Sequence, residues 1–169
     1  MANLLGAFAL AASDRLLEAT SAVGESPSVD AALVALRNHP GESIRTLQSV
    51  LGLTHSGTVR LLDGLEAAEV VERRRGMEGD ARAVAVWPTA KGKKRAEALL
   101  MARTKALEEI LEGVDDSSRT VLEQALRQML DNLTNGPPSA RRICRFCEER
   151  VCRPAGCPVE DKAGCSSSD

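Results

Sequence analysis

Cysteine is missing from the first 143 residues of this 169-residue chain. Tyrosine is missing altogether, and one Trp and two Phe are its only aromatics. Two histidines, His39 and His55, are all it has. Each scarcity excludes something. With few aromatics and an abundance of Leu and Ala, the chain favours packed helices over an all-β sandwich. His39 stands next to a proline and His55 inside a polar helix start, so general-base options are poor. No nucleophile motif, phosphate loop or metal-hydrolase signature is present, and the expectation is that the protein is not an enzyme. Long apolar runs are also lacking. The N-terminal stretch NLLGAFALAA is shorter than the roughly 20 apolar residues that span a bilayer. No basic residue precedes it, and the first, Arg15, follows it beside Asp14, which is not the pattern of a secretory leader. The expectation is a buried helix, a cytoplasmic protein and no membrane partner.

What remains is ordinary for a folded domain: 43% apolar residues, 27% charged and a net charge of -2. Asn3 to about Thr20 carries Leu5, Phe8, Ala12 and Leu16 at helical spacing. SAVGESPS breaks that helix, and Ser28 is positioned to cap a second, VDAALVALRN, which Asn38-His39-Pro40-Gly41 stops. Ile44, Leu47 and Leu51 then share one face of a short helix. Gly52-Leu53-Thr54 interrupts it, and Val59, Leu62 and Leu65 continue on a new axis with Thr54 as N-cap. Two short helices joined by a glycine-containing turn form a helix-turn-helix. VVERRR and RAVAVW, joined by GMEGDA, read as a β-hairpin. Thr89 caps a long helix with Leu100, Leu107, Leu111 and Val114, and after Asp115 a last helix carries Leu122, Leu126, Met129 and Leu133.

This order predicts a mostly α fold with a small β-hairpin wing: a winged helix-turn-helix flanked by N- and C-terminal dimerisation helices. The expected boundaries are residues 28–95 for the DNA-binding unit, 1–25 and 97–138 for the dimerisation helices, and 141–165 for a cysteine-rich tail. Candidate DNA-contacting residues on the second helix are Thr54, His55, Ser56, Thr58, Val59 and Arg60. Small polar side chains there allow close backbone approach, the first amides favour phosphate, and Arg grips guanine edges. The wing adds Arg73, Arg75 and Arg82. Between Arg45 and Arg95 ten basic residues stand against six acidic ones, so positive charge gathers where a duplex would lie. The expected partner is double-stranded DNA.

From about Ala31 to Leu133 the chain resembles the MarR family of bacterial winged-helix regulators. The resemblance is carried by LGLTHSGTVRLLDGLEAAEVVERR, GDAR and VWPTAKGKK. It implies a homodimer of intertwined terminal helices, a recognition helix starting near Thr54, and Arg82 reaching the minor groove from the wing tip, held by Asp80. It also implies repression relieved by a small-molecule effector or by cysteine oxidation. Trp87-Pro88 departs from the family's usual Leu. Independently, Leu4, Leu5, Phe8, Leu10, Leu16 and Leu17 cannot all face one small core, which predicts a shared interface. A two-fold dimer in turn predicts a palindromic operator.

All five cysteines fall in Cys144-x2-Cys147-x4-Cys152-x4-Cys157-x7-Cys165. In a reducing compartment clustered thiols read as metal ligands or redox groups rather than staples. Cys144, Cys147, Cys152 and Cys157 are the candidate metal ligands, and Cys165 is a spare. A four-cysteine zinc site usually pairs two C-x2-C knuckles, and one is present. An iron–sulfur cluster also takes four cysteines, and Pro158 follows the fourth as in bacterial ferredoxins. Zinc, an iron–sulfur cluster and a metal-free thiol switch all stay open on spacing. The tail is thus expected to be a sensor of metal or redox state, or a clip at the dimerisation end. The competing reading is a metal- or redox-handling protein whose helix-turn-helix is only structural.

Overall fold

The computed structural model describes residues 1–77 and 80–164, with 76, 77 and 80–83 as backbone only. Helix α1 spans Ala2–Ser21, α2 Pro27–Asn38, α3 Ile44–Leu51 and α4 His55–Ala67. The wing is β2 (Val71–Met77) against β3 (Asp80–Pro88), joined by a two-residue β1 (Glu42–Ser43). Long helices α5 (Ala90–Ile110) and α6 (Asp116–Leu133) follow, then a compact tail. The sheet order is β1-β3-β2, antiparallel throughout, with Arg73 opposite Val86 and Ser43 opposite Ala85. The winged helix-turn-helix read from the sequence is the observed fold. β1 was not foreseen, because two residues carry no periodicity.

Local chemistry sets the boundaries. Thr54 caps α4 by accepting from the Gly57 amide at 3.1 Å, and Thr89 caps α5 through the Gly92 amide. The cap of α2 is Ser26, not Ser28: Pro27 takes the first helical position, where its missing amide costs nothing, and Ser26 accepts from the Val29 amide. Gly52 ends α3 in the left-handed conformation (φ 67°), which a Cβ would strain. Gly92 meets a different demand. A Cβ there would lie 2.0 Å from the Val70 carbonyl oxygen, so glycine alone lets α5 start against the wing.

One core unites α2, α3, α4, the sheet and the first half of α5. Leu33, Leu36, Leu47, Leu62, Val86 and Leu99 are fully buried in it. Each such side chain stabilises the fold by roughly 2 kcal/mol. Trp87 lies at the wing base, with the Arg74 guanidinium 5.0 Å from its ring and Gly41 alongside.

The terminal helices are different. On α1, Leu4 is 74% exposed and Leu10 70%, with Leu5, Phe8 and Leu17 also open. On α6 no residue is buried, and Val121 and Leu133 are about two-thirds exposed (66% and 65%). No helix of the described residues is long and apolar enough to cross a membrane.

The tail forms α7 (Pro137–Ile143), a 3₁₀ turn (Cys144–Phe146), α8 (Glu149–Cys152) and α9 (Pro158–Ala163). It touches α6, at the expected dimerisation end, and reaches beyond it. Phe146 packs onto the winged-helix core, α7 lies against α3, and α9 lies against α6. The tail therefore bridges the helix-turn-helix and the last long helix.

Candidate nucleic-acid interface and thiol cluster

Helix α4 is held to the core by one face and presents the other. Thr58, Leu62 and Leu65 are the buried face. Thr58, expected among the exposed contacts, is fully buried and its hydroxyl donates to the Thr54 carbonyl at 3.0 Å. It lies one helical turn before Leu62, and that spacing places it on the core face. Val59 is half-buried, and its carbonyl accepts from Arg73. Thr54, His55, Ser56 and Arg60 are exposed together at the start of α4. This gives a polar, hydroxyl-bearing helix start at the positive end of the α4 dipole.

The basic residues divide into two groups. Arg73 is tied to Asp63 at 2.7 Å and Glu66 at 3.2 Å, which fixes β2 to α4 and neutralises its charge. Lys91 donates to the Ala68 carbonyl at the end of α4, and Arg95 pairs with Glu25 at 2.6 Å. Arg45, Arg60, Arg75, Lys93 and Lys94 are exposed and make no ion pair among the described residues. Arg45, part of the basic excess but not among the expected contacts, belongs to this second group through its exposed place on α3. Asp80 pairs in register with Met77. The side chains of Asp80 and Arg82 lie outside the described residues, as do Cys165 and two residues of the GMEGDA loop.

The four candidate ligands Cys144, Cys147, Cys152 and Cys157 line one cavity of about 140 Å³, together with Glu149 and Val159. The thiols interact as two pairs, Cys144 with Cys147 and Cys152 with Cys157. The first pairing raises the Cys144 thiol far above its ordinary value and lowers Cys147 to about 7. Arg103 and Arg145 also favour the Cys147 thiolate. Burial, with a hydrogen bond to Cys157, pushes Cys152 up to about 12. Among the described residues no three His, Cys, Asp or Glu side chains are drawn together closely enough to hold one ion directly; the thiols stand as two pairs around a shared space.

This cavity is tied to the helix-turn-helix. His39 Nε2 lies 3.0 Å from Glu149, and Asn38 donates to the Cys147 carbonyl at 2.9 Å. Burial works against the Glu149 charge, but the His39 hydrogen bond and the nearby Arg153 and Arg141 outweigh it, so its pKa is lowered. Arg37 pairs with Glu148 at 2.8 Å and Arg141 with Glu42 at 2.5 Å. The Arg142 guanidinium covers Gly52, at the turn between α3 and α4. On the other side Lys162 pairs with Asp131 of α6, and Arg127 donates to the Gly156 carbonyl.

A capped, outward-facing second helix beside a basic two-stranded wing is the architecture of a winged-helix protein. The solved structures it resembles are MarR-family transcriptional regulators. A MarR family protein from Bacillus stearothermophilus is 25% identical, with a TM-score of 0.71 over 79% of this chain and 92% of that one. A MarR-family transcriptional regulator from Silicibacter pomeroyi is 25% identical, with a TM-score of 0.58 over 77% and 87%. MepR, a transcription regulator of the Staphylococcus aureus multidrug efflux pump MepA, shares the fold at 16% identity and a TM-score of 0.68, over 79% and 98%. No protein-family model matches the chain, and no curated protein matches it significantly. The MarR-type winged helix-turn-helix therefore holds in three dimensions over most of the chain, and these neighbours support a DNA-binding transcriptional regulator. They do not address the thiol-bearing tail.

Proposed function

We propose that this protein is a cytoplasmic repressor that binds a palindromic operator as a homodimer and takes its signal through the C-terminal thiols. The observation that carries the reading is the start of α4, where Thr54, His55, Ser56 and Arg60 are open while Thr58, Leu62 and Leu65 fix the helix to the core. The exposed apolar residues of α1 and α6 support the dimer, since a second copy would cover them. Two recognition helices related by a two-fold axis would then read half-sites about one helical turn apart. Repression follows from occupying a promoter that polymerase needs. A small-molecule effector acting between the terminal helices is compatible with this arrangement.

The test is selection of bound sequences from a random duplex pool, followed by titration across salt. Enrichment of a palindrome, with affinity falling steeply as salt rises, is the expected result. Arg60→Ala and Arg82→Ala should each weaken that binding. Selection of no motif, or affinity untouched by both substitutions, overturns the reading and leaves a thiol protein with a structural helix-turn-helix.

A further inference from the structure

Two neighbouring arginines on α7 are used differently. Arg141 pairs with Glu42 at 2.5 Å, which pins the helix beside α3. Arg142 is exposed, and among the described residues its side chain forms no ion pair and donates no hydrogen bond. An arginine at the end of a helix commonly satisfies the last carbonyls. That need is met here without it, because the Gln48 carbonyl of α3 already accepts from the Gly52 and Leu53 amides.

Gly52 sets where the Arg142 guanidinium lies. From the point that a Cβ on Gly52 would occupy, Cζ, Nη1 and Nη2 of Arg142 are 2.8, 2.9 and 2.8 Å away. Three near-equal distances mean that the planar group turns its face to the glycine. Its N–H donors lie in that plane, so they point past the turn and stay uncommitted. Gly52 stands two residues before Thr54, the cap of α4, and two residues span at most about 7 Å. Thr54, His55 and Ser56 are all open there. The position is also held firmly. Just beyond α7, Phe146 packs on the main core, Asn38 donates to the Cys147 carbonyl at 2.9 Å and Arg37 pairs with Glu148 at 2.8 Å.

A flat cation with uncommitted donors, fixed beside the start of an outward-facing helix, fits a phosphate. A guanidinium meets two phosphate oxygens with two parallel N–H bonds. We infer that Arg142 reaches from the C-terminal tail to a backbone phosphate of the duplex beside the start of α4. The tail is then part of the DNA-binding surface itself. This rests on the function proposed above and adds to it a contact from outside the winged helix. Such a contact positions the protein on the duplex and reads no sequence.

The test measures Arg142→Ala, Arg142→Lys and Arg60→Ala, each in the full chain, on two duplexes of equal length: the selected palindrome and a random sequence. Each phosphate contact contributes about 0.9 to the slope of log affinity against log salt. A homodimer that loses two should show a slope shallower by about 1.8. Arg142→Ala should do so on both duplexes and weaken both alike, by roughly 2–30-fold for two exposed ion pairs. Arg142→Lys keeps the charge and should keep most of the slope. Unchanged affinity and slope in Arg142→Ala, with Arg60→Ala still weakening binding, overturns this inference and leaves the function above standing. A loss confined to the palindrome, or a lowered unfolding midpoint with an unchanged slope, also overturns it. Wild-type protein that binds neither duplex overturns both.

Discussion

Helices α2 and α6 both carry apolar residues at helical spacing, yet they meet opposite fates. α2 buries every residue from Asp30 to Leu36 within its own chain, whereas α6 buries none. The first is packed by the winged-helix core. The second packs on α9 yet leaves Val121, Leu126 and Leu133 open, which is how a helix looks when a second copy supplies the rest. Sealing and incompleteness thus divide the molecule into a self-sufficient reading head and an open pair of terminal helices.

The largest effect should come from the sealed side. Leu62→Ala should cost roughly 2–5 kcal/mol in denaturant unfolding, because the site has no solvent to relax into. Next, Leu126→Asp with Leu133→Asp should leave the winged helix folded but shift sedimentation from dimer to monomer. Each leucine so removed from an interface forfeits roughly 1.5–3 kcal/mol. A monomeric wild type at micromolar concentration would break the comparison. Arg60→Ala should weaken operator binding by roughly 1–3 kcal/mol, or about 5–150-fold, without altering unfolding. Thr54→Ala should cost about 1 kcal/mol of stability by stripping the Gly57 amide of its acceptor.

The smallest effect is electrostatic. Asp30 lies buried under the α1–α2 turn, and burial raises its pKa above 3.8 against the Glu25 amide and Arg95, which favour the charge. The folded state therefore binds that proton more tightly than the unfolded chain. Its contribution is complete below 3.8 and is lost as pH rises through the folded value. Asp30→Asn should remove this slope, so its stability gain over wild type should grow from acid to neutral pH in paired unfolding curves.

Most of the reading head was legible because its signals are local and redundant. Thr54 and Thr89 each combine a cap residue, a following glycine three positions on and an apolar stripe, and both caps are where those signals put them. A serine stands on each side of Pro27, so spacing alone points as readily to Ser28 as to the true cap Ser26; the proline's preference for the first helical position separates them. Thr58 was assigned outward by its hydroxyl, although its register with Leu62 and Leu65 pointed inward. Arg73 was legible as a charge but not as a spent one, since Asp63 and Glu66 reach it only across a helix–strand contact. The tail resisted for a different reason. Its helices run from four to seven residues, too short for periodicity, and their placement depends on pairs such as Arg141–Glu42 that lie about a hundred residues apart.

Trp87 has an optical consequence. It is the only indole in the chain and there is no tyrosine, so near-ultraviolet emission excited at its red edge reports one place: the base of the wing, where β3 meets β1 and Arg74 lies over the ring. A duplex pressing on that hairpin should change its intensity. Association through the terminal helices, far along the chain, should pass unseen, so one spectrum can separate the two events.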